Sequence, residues 1–274
     1  MLIRPGLRLA LAGLIALAAH GVSAAGTVNV QFGETSSIFG PTLQYTGAAV
    51  VGGAGDQWNL AGGTFNPDYL TSTQGWGRTI TNLALFDSTG AATGATLSLT
   101  TPDAFISLEH FSPFFKGTAY ADLMDSFVFA DGNRLGNGGG QDGAGVVSLS
   151  GLDAGATYEL ILLSSGDVIG RATRFTLDGV DKIATPTGIG TFAQDDNFVN
   201  FVTTADAGGS LSFTFDAASG AEGNLNGLQL VELRRPEIDG SPTPEPASWA
   251  LMMLGFGAIG GAARMRRRTR AIAA

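Results

Sequence analysis

Between residues 26 and 235, apolar residues come in short runs that alternate with small polar ones, and the runs are separated by glycine, aspartate and asparagine. In Ser210-Leu211-Ser212-Phe213-Thr214-Phe215 the period of two is unbroken, which puts Leu211, Phe213 and Phe215 on one face of a strand and the hydroxyls on the other. Such a pattern cannot make amphipathic helices, and it buries its apolar faces best as sheets packed on one another. The spacing predicts strands at 28–32, 43–51, 79–87, 96–101, 145–150, 157–164, 173–178, 197–204, 210–216 and 227–233, about ten in all. The expected fold class is therefore all-β, a two-sheet β-sandwich or jelly roll. In 197–204 both faces carry apolar residues, Phe198 and Val202 against Val199 and Phe201, so that strand is expected to be covered on both sides.

One segment departs from the period of two. Tyr120, Leu123, Met124 and Phe127 recur at helical spacing with Asp122 and Asp125 opposite, which predicts one short helix within 118–130, stopped by the turn residues Asp131-Gly132-Asn133. Residues 136–145 are glycine-rich and without period, and read as a loop. The chain has no cysteine, so its core must hold without disulfides, which roughly 215 residues can do.

Both ends differ from the body. Arg4 and Arg8, the apolar stretch 9–19 and the small residues Val22-Ser23-Ala24 have the order of a secretory signal peptide, and its apolar part is too short for a stable membrane span. The reading is a signal helix over 1–25, removed after Ala24 or Ala25 by signal peptidase following passage through the secretory translocon. At the other end, a proline-bearing linker at 236–243 leads to Pro244-Glu245-Pro246-Ala247-Ser248-Trp249-Ala250. The prolines hold Glu245 extended, as suits a peptide that enters another protein's groove. An uncharged run from Ala247 to Ala263 follows, roughly 25 Å long as a helix and enough for a thin bilayer. Arg264, Arg266, Arg267 and Arg268 then form a membrane stop that stays cytoplasmic.

Motif, apolar helix and basic end, over 244–270, resemble the PEP-CTERM sorting signal in its variant with a downstream Trp-Ala, carried here by Pro244, Glu245, Pro246, Trp249 and Ala250. The resemblance implies a substrate of exosortase, a membrane protease-transpeptidase: export, transient anchoring in the inner membrane, then release or transfer to the cell surface. In the body (26–235), Val147-Ser148-Leu149-Ser150-Gly151-Leu152-Asp153 and Leu225-Asn226-Gly227-Leu228-Gln229-Leu230 resemble strands of secreted jelly-roll, galactose-binding-like and malectin-like modules. That second resemblance implies a jelly roll and opens the question of carbohydrate binding.

Charge narrows the function classes. Seven of the fifteen basic residues lie in the two terminal signals, leaving eight against twenty-four acidic ones between Gly26 and Glu245, a net charge of −16. Nucleic acid and anionic lipid are thereby excluded as partners. Catalysis has little material: outside the signal peptide His110 is the only imidazole, no G-x-S-x-G frames a serine, and no spacing singles out a carboxylate pair. No cofactor is implied. Two oxygen-rich clusters, Asp131, Asn133 and Asp142, and Asp195 with Asp196, have the hard ligands that suit a structural Ca²⁺, although turn chemistry explains both equally. For sugar binding, Trp58, Tyr69 and Trp76 lie among glycine and asparagine turns where a sandwich presents loops; packing over a sheet edge is the competing reading for both tryptophans. The leading expectation is a non-enzymatic, exosortase-sorted cell-surface or matrix protein associated with extracellular polysaccharide in a biofilm. The alternatives are a module that recognises a specific glycan and a secreted hydrolase.

Overall fold

The structure is a computed structural model that describes residues 26–36, 42–64, 78–102, 105–107, 114–130, 142–219 and 222–234. They all belong to one compact unit, Met1–Arg235; Pro236–Ala274 form a second one, which lies outside the described residues, as does the segment 1–25. Among the described residues no helix is long and apolar enough to cross a membrane.

The body is an all-β sandwich with one helical turn. In chain order its elements are β1 (Val28–Ser36), β2 (Asn59–Thr64), β3 (Arg78–Phe86), β4 (Ala92–Thr101), β5 (Phe105–Ser107), α1 (Ala121–Met124), β6 (Ser126–Ala130), β7 (Gly145–Ser150), β8 (Thr157–Leu163), β9 (Ala172–Leu177), β10 (Val180–Ala184), β11 (Phe198–Thr204), β12 (Leu211–Ser219), β13 (Gly223–Leu225) and β14 (Gly227–Arg234). A five-stranded sheet runs β11-β8-β14-β1-β2, a six-stranded one β10-β9-β12-β7-β4-β3, and a small sheet β13-β6-β5 stands beside them. All pairs are antiparallel except β1 with β2.

Alternation builds the main core. Leu211, Phe213 and Phe215 of β12 are buried, as the sequence pattern requires, and meet Leu97 and Leu99 of β4, Val147 and Leu149 of β7, Phe175 of β9, and Val28, Val30 and Phe32 from the facing sheet. Each such buried side chain contributes about 1.5–3 kcal/mol. The outer face of the six-stranded sheet carries hydroxyls in cross-strand register, Ser98 beside Ser148 beside Ser212.

The five-stranded sheet is covered on its outer face as well, which is why β1 reads Val-Asn-Val-Gln-Phe yet is buried at every position from Val28 to Glu34. A second core lies there: Tyr45, Trp58, Phe115, Leu123, Met124, Ile161 and Leu163. Polar side chains of the central strands hold this layer in place. Gln31 donates to Leu43 O (3.0 Å) and Asp122 O (2.7 Å) and accepts from Tyr45 N (2.9 Å). Gln229 accepts from Val50 N and Val51 N (3.0 and 3.1 Å) and donates to Val51 O and to Asn29 Oδ1 (3.1 and 2.8 Å). Asn226 donates to Met124 O and Ser126 O, each at 3.0 Å, and accepts from Ser165 N.

These amides explain a departure from expectation. Residues 43–51 were expected as a strand, but they form an irregular segment whose only bridge is Thr46 with Gln57. Its backbone groups find Gln31 and Gln229 instead of a neighbouring ladder, which meets the requirement that buried peptide groups be paired. The predicted helix within 118–130 is confined to the turn Ala121–Met124, and Ser126–Ala130 is a strand buried at all five positions. Phe127, Val128 and Phe129 suit a strand enclosed on both faces, and their backbone pairs with β5 and β13. Strand β11, at the sheet's edge, buries Val199 and Phe201 in the main core. On its other face Phe198 packs against the second core and Val202 is 65 % exposed, so the cover expected on both sides reaches only the start of the strand.

Candidate functional site

Where β2 ends one large sheet and β3 ends the other, the sandwich has an open edge. Asn59 bridges it. Its Nδ2 donates to Phe86 O (2.8 Å) and Asn29 O (2.9 Å), and its Oδ1 accepts from Phe86 N (2.9 Å), so one amide satisfies the backbone of Phe86 on both sides. This leaves the Phe86 ring outward, 46 % exposed. The ring is part of a groove of about 460 Å³ lined also by Leu60, Leu83, Gln44, Gln57 and Asp87. Gln44 and Gln57 are exposed, and Gln44 donates to Trp58 O at 2.6 Å.

Asp87 starts the turn that closes one end of the groove. Its Oδ1 accepts from Thr89 Oγ1 (2.7 Å), Thr89 N (2.9 Å) and Ala91 N (3.0 Å). The Thr89 hydroxyl, more than the backbone amides, holds this carboxyl below the usual carboxylate range, so Asp87 is an anion at neutral pH. Gly90 in the same turn has φ +88°, a conformation that favours glycine. The groove thus offers one apolar ring face, two amides with free valences and one fixed carboxylate.

The sequence-predicted residues fall differently around this groove. Trp58, expected as a candidate exposed platform, is 2 % exposed; its indole donates to Gly47 O (2.9 Å) and packs edge-on to Tyr45 with ring centroids 5.6 Å apart. Burial of a large ring whose N–H is satisfied wins over exposure, and the ring that faces outward beside it is Phe86. Tyr69 and Trp76 lie outside the described residues, in the segment joining β2 to β3, the two walls of the groove. Phe86 was legible only as the last apolar residue of a strand, and nothing in its spacing marked it as exposed.

For the metal candidates, Asp131 and Asn133 lie outside the described residues, and Asp142 is exposed just before β7. Asp195 adopts φ +64° in a turn. Asp196 accepts from Thr187 N (3.2 and 3.3 Å), from the Thr187 hydroxyl and from Asn197 Nδ2 (3.4 Å), which fastens the loop before β11. Among the described residues no three His, Cys, Asp or Glu side chains are grouped to hold a metal ion. His110 lies outside them.

A second polar cluster sits at the end of the sandwich where β8 and β12 finish and β9 begins. Arg171 pairs with both Asp167 and Glu222, the latter 2 % exposed. Asn224 is fully buried nearby, and its side-chain amide has no hydrogen-bond partner among the described residues. Gly166 makes room for that amide, since a Cβ would lie 2.5 Å from Asn224 Nδ2. No local motif forecasts this cluster, because its members come from two loops far apart in sequence.

The sorting features lie beyond β14. Residues 242–268 match the PEP-CTERM protein-sorting motif. That span includes Pro244, Glu245, Pro246, Trp249, Ala250 and the arginines Arg264, Arg266, Arg267 and Arg268. The motif marks the chain for export and exosortase sorting to the surface or the medium. No curated protein is significantly similar to the chain. Among solved structures, the body is similar to a CBM35 from Cellvibrio japonicus Abf62, with 13 % identity and a TM-score of 0.28 over 39 % of this chain and 73 % of that one. It is also similar to a family 35 carbohydrate binding module from Clostridium thermocellum, with 18 % identity and a TM-score of 0.23 over 32 % and 69 %. The protein YXIM from Bacillus subtilis shows 15 % identity and a TM-score of 0.36 over 77 % of this chain and 41 % of its own.

Proposed function

We propose that the chain is a non-enzymatic exported protein whose sandwich is delivered to the cell surface or extracellular matrix by exosortase and remains there with extracellular polysaccharide. The match of residues 242–268 to the sorting motif carries this reading. The apolar run 247–263 anchors the chain transiently in the inner membrane, and the arginines from Arg264 onward hold its end in the cytoplasm. Processing then separates the acidic body from its basic tail. Mass spectrometry of the mature C-terminus tests this: in cells with a working exosortase the tail should be missing, and in cells without it the chain should end at Ala274. An intact Ala274 in both would leave a permanent anchor and refute sorting.

A glycan-recognising body is the second reading, and the β2–β3 groove favours it. The C–H face of a pyranose packs on an aromatic ring, and its hydroxyls pair with amides and carboxylates. Phe86, Gln44, Gln57 and Asp87 present that combination. Affinity electrophoresis against a panel of polysaccharides should show retardation that Phe86→Ala or Trp76→Ala abolishes. Equal mobility of wild type and variants on every polysaccharide would remove this reading while leaving the sorting one untouched.

A further inference from the structure

We propose that the β2–β3 groove and a cleft beside Gly26 are two halves of one extended site for the interior of a neutral polysaccharide chain, with Asp87 on the crest between them selecting against acidic chains. The inference rests on the glycan reading of the groove and adds to it the second half, the class of chain and the selecting residue.

A single turn separates the two concavities. The groove, about 460 Å³, is lined by Phe86, Leu83 and Gln57, and the cleft, about 360 Å³, by Ala92, Thr93, Leu152 and Tyr158, with Asp153 and Glu232. Each lies within the roughly 300–1,000 Å³ of pockets that enclose small ligands. Asp87 lines both. Phe86 pairs with Ala92 across the β3–β4 hairpin, and Asp87 N donates to Ala91 O at 2.8 Å, so the wall between the concavities is the hairpin turn itself.

That turn is held from both sides. Ser88 is 5 % exposed; its carbonyl oxygen accepts from Gln57 N (2.9 Å) in the groove, and its amide donates to Thr27 O (2.8 Å), between the cleft residues Gly26 and Val28. The carboxylate on the crest is fixed through one oxygen only. Thr89 N, the Thr89 hydroxyl and Ala91 N all donate to Oδ1, and Oδ2 accepts no hydrogen bond among the described residues. An oriented anion with one oxygen unused accepts strongly from a sugar hydroxyl and needs no rearrangement to do so. It repels a carboxylate brought to the same place. A disaccharide fills one concavity and meets Asp87 from one side. A longer chain crosses the crest, gains the second concavity and meets Asp87 in its middle.

The test uses the protein recovered from the exporting cell and a panel of neutral polysaccharides (dextran, amylose, mixed-linkage β-glucan, galactomannan) and acidic ones (polygalacturonate, alginate). Affinity electrophoresis at about 0.15 M salt, where charges more than about 8 Å away are screened, picks the polymer that retards the protein most. It should be a neutral one. Partial hydrolysis of that polymer gives a ladder of chain lengths for isothermal titration. Affinity per molecule should rise about tenfold between the disaccharide and chains long enough to cross the crest, and then level off. Asp87→Asn should narrow the preference for neutral over acidic chains of equal length. Strongest retardation by an acidic polymer, or a disaccharide that binds as tightly as every longer chain, overturns the proposal in the wild type alone, and so does an Asp87→Asn protein with unchanged preference. These results leave the glycan reading standing, whereas a protein that no polysaccharide retards refutes that reading and this proposal together.

Discussion

Replacing Gln229 with leucine tests whether side-chain amides, rather than strand pairing, hold the outer layer on the five-stranded sheet. The substitution keeps the volume and the strand but removes four hydrogen bonds: to Asn29 Oδ1, to Val51 O, and from Val50 N and Val51 N. The groups left behind set the magnitude. Asn29 is fully buried and loses the partner of its Oδ1, which costs about 1–3 kcal/mol. Val50 and Val51 are only half-buried, so water replaces Gln229 there at a cost of about 0.5–1 kcal/mol in total. The expected loss is about 1.5–4 kcal/mol, measured by urea denaturation of the protein. Hydrogen exchange gives the sharper readout. Amides of 43–58 should lose protection, whereas Leu160 and Leu162 in β8, whose ladders with β11 and β14 are intact, should keep theirs. A variant within about 0.5 kcal/mol of wild type, with unchanged exchange at Val50 and Val51, would refute the argument that these amides do the work of a missing strand.

Three further outcomes follow from the same geometry. Trp58→Ala should destabilise the protein by about 3–5 kcal/mol through loss of a buried ring, and Trp58→Phe by about 1–2 kcal/mol through the orphaned Gly47 carbonyl, both read by urea denaturation. Gly223→Ala should cost about 1–3 kcal/mol because its Cβ would lie 2.3 Å from Asp216 O, part of the rigid backbone of β12, whereas Gly55→Ala, with nothing within 4 Å, should be near neutral. Asp87→Asn should lower the melting temperature at pH 7: a carboxyl depressed in the folded state stabilises above its ordinary range near pH 4, and that contribution is lost as pH falls through the folded value, so the melting temperatures of the two proteins should converge on acidification.

What could be read in advance follows from where backbone partners come from. Strands β7 and β12 were legible because their neighbours are other strands and one face is core, which writes period two into the sequence. Residues 43–51 carry a strand-like composition, but their partners are Gln31 and Gln229, residues distant in sequence, and no local pattern reports that. Strand β2, Asn59-Leu60-Ala61-Gly62-Gly63-Thr64, escaped notice for the opposite reason: its residues are poor strand formers, held by parallel pairing with β1. In Ser126–Ala130 burial on both faces erased the alternation and left the helical spacing of the preceding turn as the stronger local signal. The same effect hid the groove. Trp58 and Phe86 are both apolar residues at strand ends, and only the Asn59 bridge decides which of them faces out.

The antiparallel pairing of β1 with β14 brings the first and last described residues of the body together. Val28 pairs with Leu230, so Gly26 and the last residues of β14 lie at one end of the sandwich. The loops holding Arg171, Glu222 and Asn224 are at the other end, where β8 stops and β14 starts. The β2–β3 groove runs along the sheet edge, with its Asp87 turn tied to the first end through Ser88 and Thr27. Removal of residues 1–25 on export, as proposed above, would put an amine at Gly26 in the cleft that Asp87 also lines, and would leave the distal loops as they are. If the groove binds a ligand through Asp87, a precursor and a mature chain should bind it differently; if the distal loops carry the function, the two should bind alike. Comparing retardation of the two forms on the same polysaccharide panel separates these locations without any substitution in either.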